Sequence, residues 1–154
     1  MITEHSYWMD RDSRYRLEWT DTIKWAGRAT VVAVNKLLAM AEVDGIVRDT
    51  VSSGWRPQSV NDATANAAKT SKHLTAEACD ILDPDRKLAQ WCVNNPNKLA
   101  ECGVWMEDPR WTPTWAHLQC VPPKSGKRIY IPSSAPPKAP ALEGQKPLPE
   151  RIVT

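Results

Sequence analysis

Two imidazoles and one carboxylate stand out as a possible ligand set. His73 and Asp80 lie seven residues apart in Ser71-Lys-His-Leu-Thr-Ala-Glu-Ala-Cys-Asp80, shortly after Ser53-Gly-Trp-Arg-Pro57. The only later histidine is His117, in Trp115-Ala-His117. Neutral imidazole and ionised carboxylate both suit Zn²⁺, and three such ligands leave a fourth position for water. A zinc site with an open position is by default catalytic, because its water ionises near neutral pH. The remaining histidine, His5, reads as a solvated residue of the N-terminal segment.

The neighbours of these three extend the chemistry. Arg56 precedes a proline, which favours an extended backbone there. A guanidinium beside a metal binds a substrate carboxylate or steadies a developing oxyanion; otherwise it makes a surface ion pair. Ser71 either orients the loop and supports a ligand or is a simple turn residue. In a strand through Trp115-Ala-His-Leu-Gln-Cys-Val121, alternation puts Trp115, His117 and Gln119 on one face. His117 is then a ligand or a packed, hydrogen-bonded histidine.

These side chains need a scaffold. The clearest helix starts at Thr20 or Asp21, repeats apolar residues at Ile23, Ala26, Thr30, Val34, Leu37, Leu38 and Ala41, and stops at Gly45. Before it, Met1 to Glu18 reads as an extended arm of mixed charges and aromatics. Val47 to Ser53 and Glu77 to Leu82 read as strands, the second carrying Asp80. Between them, Gln58 to Thr70 is small and polar, and reads as an irregular loop with at most one helical turn. Asp83-Pro84 looks like a helix start with cap and first-turn proline, and turns Leu88, Trp91 and Cys92 inward. Asn95-Pro96 starts another short helix, stopped by Gly103. Val104 to Met106 and Trp115 to Val121 read as further strands, and Arg128 to Ile131 as a short edge strand. These elements fill one domain over residues 1–131. Residues 132–154, rich in Pro, Ser, Ala and Lys, read as a flexible or surface-hugging tail.

Composition narrows the function classes. A chain of 154 residues fits one domain. A net charge of +2, with basic and acidic residues interspersed, gives no nucleic-acid track. No apolar stretch is long enough to span a bilayer. The polar start Met1-Ile-Thr-Glu-His-Ser-Tyr-Trp lacks the apolar core of a secretory signal, so synthesis in the cytoplasm is expected, with export needing outside help. Cys79, Cys92, Cys102 and Cys120 form no CxxC and read as reduced, mostly buried thiols. The eight tryptophans, in a chain without phenylalanine, read mostly as core or pocket-wall residues.

Taken in order, Ser53-Gly-Trp-Arg56-Pro, Ser71-x-His73-x-x-x-x-Ala78-x-Asp80 and Trp115-x-His117 resemble the zinc peptidases that cut bacterial peptidoglycan stem peptides. That family includes D-alanyl-D-alanine carboxypeptidases and phage L-alanyl-D-glutamate endolysins, and shares its metal site with lysostaphin-type enzymes and the hedgehog signalling domain. The resemblance covers residues 51–121, about half of the chain. It implies a small α+β domain of hedgehog-like fold, an antiparallel sheet carrying the zinc with helices packed on one face, Zn²⁺ held by His73, Asp80 and His117, and Arg56 polarising the scissile carbonyl. It also implies a peptidoglycan peptide as partner and action at the bacterial wall or periplasm; the chain is expected to be a monomer. The segment Pro122-Pro-Lys-Ser-Gly-Lys-Arg128 is similar to phage-encoded members, which implies a virus or prophage origin.

The chain departs from that pattern twice. Ala76 stands where the ligand loop usually carries glycine, which an ordinary backbone angle would tolerate. Thr114 stands three residues before the last histidine, where relatives often carry an acid, and it cannot accept a proton from water. A hydrolase needs a carboxylate or imidazole within reach of that water. Glu107, in Trp105-Met-Glu-Asp-Pro109, is the first candidate base, with Asp108 second and Glu77 third. Alternatively Glu107 and Asp108 are turn residues, and the domain binds zinc and peptidoglycan, or serves in a virion, without cutting.

Overall fold

The computed structural model describes residues 1–133; most of the Pro-rich tail expected over 132–154 lies outside the described residues. The described chain is a small α+β domain around a mixed five-stranded sheet. Its N-terminal part corrects the extended arm expected there. Helix α1 (Glu4–Trp8) starts with a capping box between Thr3 and Ser6, and α2 (Arg11–Arg14) follows it. Tyr7 and Trp8 are buried, and the Trp8 ring meets Trp19 and Trp55 edge to face. Apolar burial of this size outweighs the ordering cost of a short helix.

The long helix α3 (Asp21–Val43) forms as its periodicity predicts, with the Thr20 hydroxyl accepting from the Ile23 amide. Val31, Val34, Leu37, Leu38 and Ala41 are buried, whereas Trp25 is exposed, unlike the other tryptophans. Strand β1 (Val51–Ser53) begins four residues later than the expected run from Val47. Helix α4 (Gln58–Ala63) then occupies part of the segment read as irregular, and β2 (Ala78–Leu82) carries Asp80.

Helix α5 (Lys87–Asn94) begins three residues after Pro84 rather than at it. Asp83 still caps it, because its carboxylate accepts from the Leu88 and Ala89 amides at 3.1 and 2.9 Å. Helix α6 (Pro96–Glu101) has its proline in the first turn. Strands β3 (Trp105–Glu107), β4 (Trp115–Gln119) and β5 (Ile129–Tyr130) complete the sheet in the order β1-β2-β4-β3-β5. Four strands pair antiparallel as expected. The fifth, β5, runs parallel to β3, so the sheet is mixed.

Alternation divides the sheet's two faces. Cys79, Ile81, Met106, Ala116 and Leu118 are fully buried on the core face, where α3, α5 and α6 approach the strands. Asp80, Glu107, His117 and Gln119 occupy the opposite face. All four cysteines are free, and only Cys120 is partly exposed. Among the described residues no helix is long and apolar enough to cross a membrane.

Candidate metal centre

Register brings the first two candidate ligands together. Asp80 on β2 is the direct cross-strand partner of His117 on β4, so their side chains rise from the same face of neighbouring strands. The His117 Nδ1 lies 2.7 Å from Asp80 Oδ1. His73 arrives from outside the sheet, on the loop before β2. Its Nε2 lies 3.2 Å from Asp80 Oδ2 and 3.3 Å from His117 Nδ1. The three candidate ligand atoms lie within 4.8 Å of one another, and this group could hold a metal ion. His73 and Asp80 are buried and His117 is half-buried.

Each of these groups has a backing partner. His73 Nδ1 is 2.7 Å from the Gly54 carbonyl oxygen. A carbonyl only accepts, so Nδ1 carries the proton and the Nε2 lone pair faces the cluster. Arg56 Nη2 donates to Asp80 Oδ2 at 3.2 Å, and its Nε donates to Ser53 Oγ at 2.9 Å. The Arg56 amide donates to the His73 carbonyl, which ties the two motif loops together. Ser71 Oγ accepts from the His73 amide at 3.3 Å, so this serine orients the loop. Beyond His117 on the same face, Gln119 donates to Val121 O and accepts from the Tyr130 hydroxyl, both at 2.7 Å.

The electrostatics follow from crowding. Burial alone would raise the Asp80 pKa, but the two imidazoles overcome it and hold the carboxyl well below its usual range. Burial pushes His73 down from the usual imidazole value. Burial acts the same way on His117, yet Asp80 outweighs it and the net shift is upward. Arg56 is lowered, by desolvation first.

The candidate bases separate clearly. Continuing the pairing of Met106 with Leu118 sets Glu107 opposite His117 on the site face. Burial first, and then Asp80 and Asp108, push its carboxyl above the usual range. No described residue donates a hydrogen bond to it. Asp108 is instead committed to Arg110, which donates from Nε and Nη2 at 3.0 and 2.7 Å. Glu77 accepts from the Thr75 hydroxyl at 2.6 Å, and its odd spacing from Asp80 turns it away from the cluster. Thr114 is exposed, and its carbonyl accepts from the Asp83 amide at the start of β4.

Ala76 does not have the ordinary backbone angle that would make its methyl harmless. Its φ is +58°, in the left-handed region that favours glycine. Three contacts hold it there: its carbonyl accepts from Tyr7 Oη at 2.9 Å and Thr30 Oγ1 at 2.8 Å, and its amide donates to the His73 carbonyl.

Sequence reasoning passed over several supports of this centre. Asn61 is buried, with its side chain on Arg56 and the Ala68 carbonyl, although its surroundings read as a polar loop. Tyr7, Gly54 and Tyr130 carried no motif of their own. Alternation places Gln119 on the His117 face but assigns it no role. Compared with protein-family models, curated protein sequences and solved structures, the chain matches none.

Proposed function

We propose that this protein is a zinc-dependent peptidase that hydrolyses amide bonds in peptidoglycan stem peptides, as the motif resemblance implies. The observation that carries the reading is the cluster of three candidate ligands with a carboxylate, Glu107, on the same face to which no described residue donates. A tetrahedral zinc with bonds of about 2.0–2.1 Å separates its ligand atoms by about 3.3 Å. The separations of 3.2 and 3.3 Å from His73 Nε2 are close to that figure, whereas His117 Nδ1 and Asp80 Oδ1, at 2.7 Å, make a direct hydrogen bond that a bound ion would open. Zinc there supplies a Lewis acid and lowers the pKa of water.

The chain's own residues do the rest. Glu107 accepts the proton of the attacking water and returns it to the leaving amine. Its upward shift makes it a stronger base than an ordinary glutamate and a competent acid after the first transfer. Arg56 holds Asp80 in place, and its positive charge steadies negative charge developing on the scissile carbonyl. Asp108 shapes the turn through Arg110 rather than moving protons.

The test is mass spectrometry of purified sacculi after incubation with the chain, with metal content measured on the same preparation. About one zinc per chain and newly released stem peptides support a peptidase. Zinc with tight sacculus binding and no new amine ends identifies a non-catalytic wall-binding module, and absence of bound zinc removes both readings.

A further inference from the structure

We infer that the groove between residues 47–50 and 82–85 is a substrate subsite for an alkyl side chain ending in an ammonium. The inference rests on the peptidase reading above, since the diamino acid of a stem peptide has a side chain of this form.

The groove arises where two paired segments part. The Thr50 carbonyl accepts from the Leu82 amide at 2.9 Å. Two residues on, Pro84 has no amide hydrogen with which to continue the ladder. The gap that follows is a groove of about 400 Å³. Val47, Leu82 and Pro84 give it apolar walls, and Val47 and Leu82 are 59% and 40% exposed.

The charges in the groove select the sign of its occupant. Arg48 lines it, yet each of its three side-chain nitrogens is already engaged. Nε donates to Asp83 at 2.9 Å, Nη1 to the Val47 carbonyl at 2.9 Å and Nη2 to Asp85. Asp85 is shared with Lys87, whose Nζ lies 3.4 Å away. Asp49 also lines the groove, and its Oδ1 accepts only from the Thr50 hydroxyl, at 3.3 Å. Among the described residues no cation pairs with it. A ligand cation therefore finds one unclaimed carboxylate, whereas an anion meets Asp49 and Asp85 with Arg48 already taken. Methylenes lie against Val47 and Leu82 while the ammonium reaches Asp49, as lysine side chains lie along apolar surface with the charge outward.

The groove adjoins the candidate metal centre rather than containing it. Leu82 lies two residues beyond Asp80 on β2, so both rise from one face about 7 Å apart. The cross-strand partner of Leu82 is Trp115, two residues before His117 on that same face. Two residues of extended peptide span about 7 Å. A residue one or two positions from the scissile bond thus delivers its side chain to the groove.

The test is a methyl ¹H–¹³C NMR titration of the full chain with zinc added, carrying Glu107→Gln so that the peptide stays intact. The ligands are a stem-type pentapeptide with lysine at its diamino position and the same peptide with norleucine there. The lysine peptide is expected to shift the Val47 and Leu82 methyl signals and to bind about three- to fivefold tighter than the norleucine peptide. Adding Asp49→Asn, at an exposed position, is expected to erase that preference and leave the norleucine affinity unchanged. Equal affinities for the two peptides, methyl signals that do not move, or a preference that survives Asp49→Asn each overturn the subsite. If the wild-type chain still releases stem peptides from sacculi, such a result removes the groove and leaves the peptidase. Shifted methyls and a lysine preference without any hydrolysis of sacculi sustain the groove and remove the peptidase.

Discussion

Replacing Gly54 by alanine tests how the N-terminal helix and the metal centre depend on each other. A Cβ built on Gly54 falls 1.9 Å from the Tyr7 carbonyl oxygen and 2.8 Å from the Tyr7 carbonyl carbon. Relief needs a shift of more than about 1 Å, since packed carbon–oxygen contacts are rarely under about 3.3 Å. Tyr7 has little freedom to move: it is fully buried, and its hydroxyl donates to the Ala76 and Ala78 carbonyls at 2.9 and 3.0 Å. Overpacking of this kind costs about 1–3 kcal/mol, and one displaced buried hydrogen bond adds about 1 kcal/mol. The sum, about 2–4 kcal/mol, corresponds to a fall in Tm of roughly 5–15 °C for a domain of this size. The Gly54 carbonyl also orients His73, so its displacement should weaken metal binding about 10-fold or more. Thermal melts followed by circular dichroism, with chelator competition on the same sample, measure both effects. A Gly54→Ala protein that melts within about 2 °C of wild type and binds zinc normally would refute the packing argument.

Four other outcomes are expected. Glu107→Gln should lower kcat on stem peptides by about 10²–10⁴ with zinc retained; because ionising this half-buried carboxyl works against the fold, its Tm at neutral pH should not fall. Activity should decline on acidification through a pKa above the usual glutamate range, since the base works only when ionised and burial raises it; a pH–rate profile in which the acidic limb follows an ordinary carboxylate would count against Glu107. Removing zinc from protein held at about 100 times its Kd should cost about 2.7 kcal/mol, read as a lower Tm in the presence of a chelator. At Ala76, glycine relieves about 1–2 kcal/mol of left-handed strain but loses a buried methyl and stiffens the unfolded chain less, so Ala76→Gly should be within about 1 kcal/mol of neutral, whereas the β-branched Ala76→Val should cost more than about 2 kcal/mol in denaturant titrations.

The parts readable from sequence are those governed by local chemistry. Helix α3 declares itself because a capping threonine precedes an uninterrupted helical period. The convergence of His73, Asp80 and His117 is legible because residue type limits which groups could bind a metal, and alternation correctly put His117 and Gln119 on one face. The parts that were missed depend on distant partners. Helix α1 is too short to show a period, although Thr3 followed by Ser6 is a cap signature that could have located it. The left-handed angle at Ala76 is stabilised by Tyr7 and Thr30, which no local pattern connects to it. Burial of Asn61 depends on Arg56 folding back over it, and the parallel direction of β5 depends on a long excursion through the loop after β4. The different settings of Glu107 and Asp108 needed the turn geometry, because only the folded chain shows Arg110 gripping Asp108.

The Tyr7 hydroxyl props up the backbone between two of the candidate ligands, yet the chain that delivers it passes through an exposed stretch at Arg16 and Leu17. A protease cut there would leave His73, Asp80, His117 and Glu107 untouched while turning the first helix into a separate peptide held only by noncovalent contacts. Dilution would then release it, and the candidate centre would loosen by dissociation rather than by damage to its own side chains.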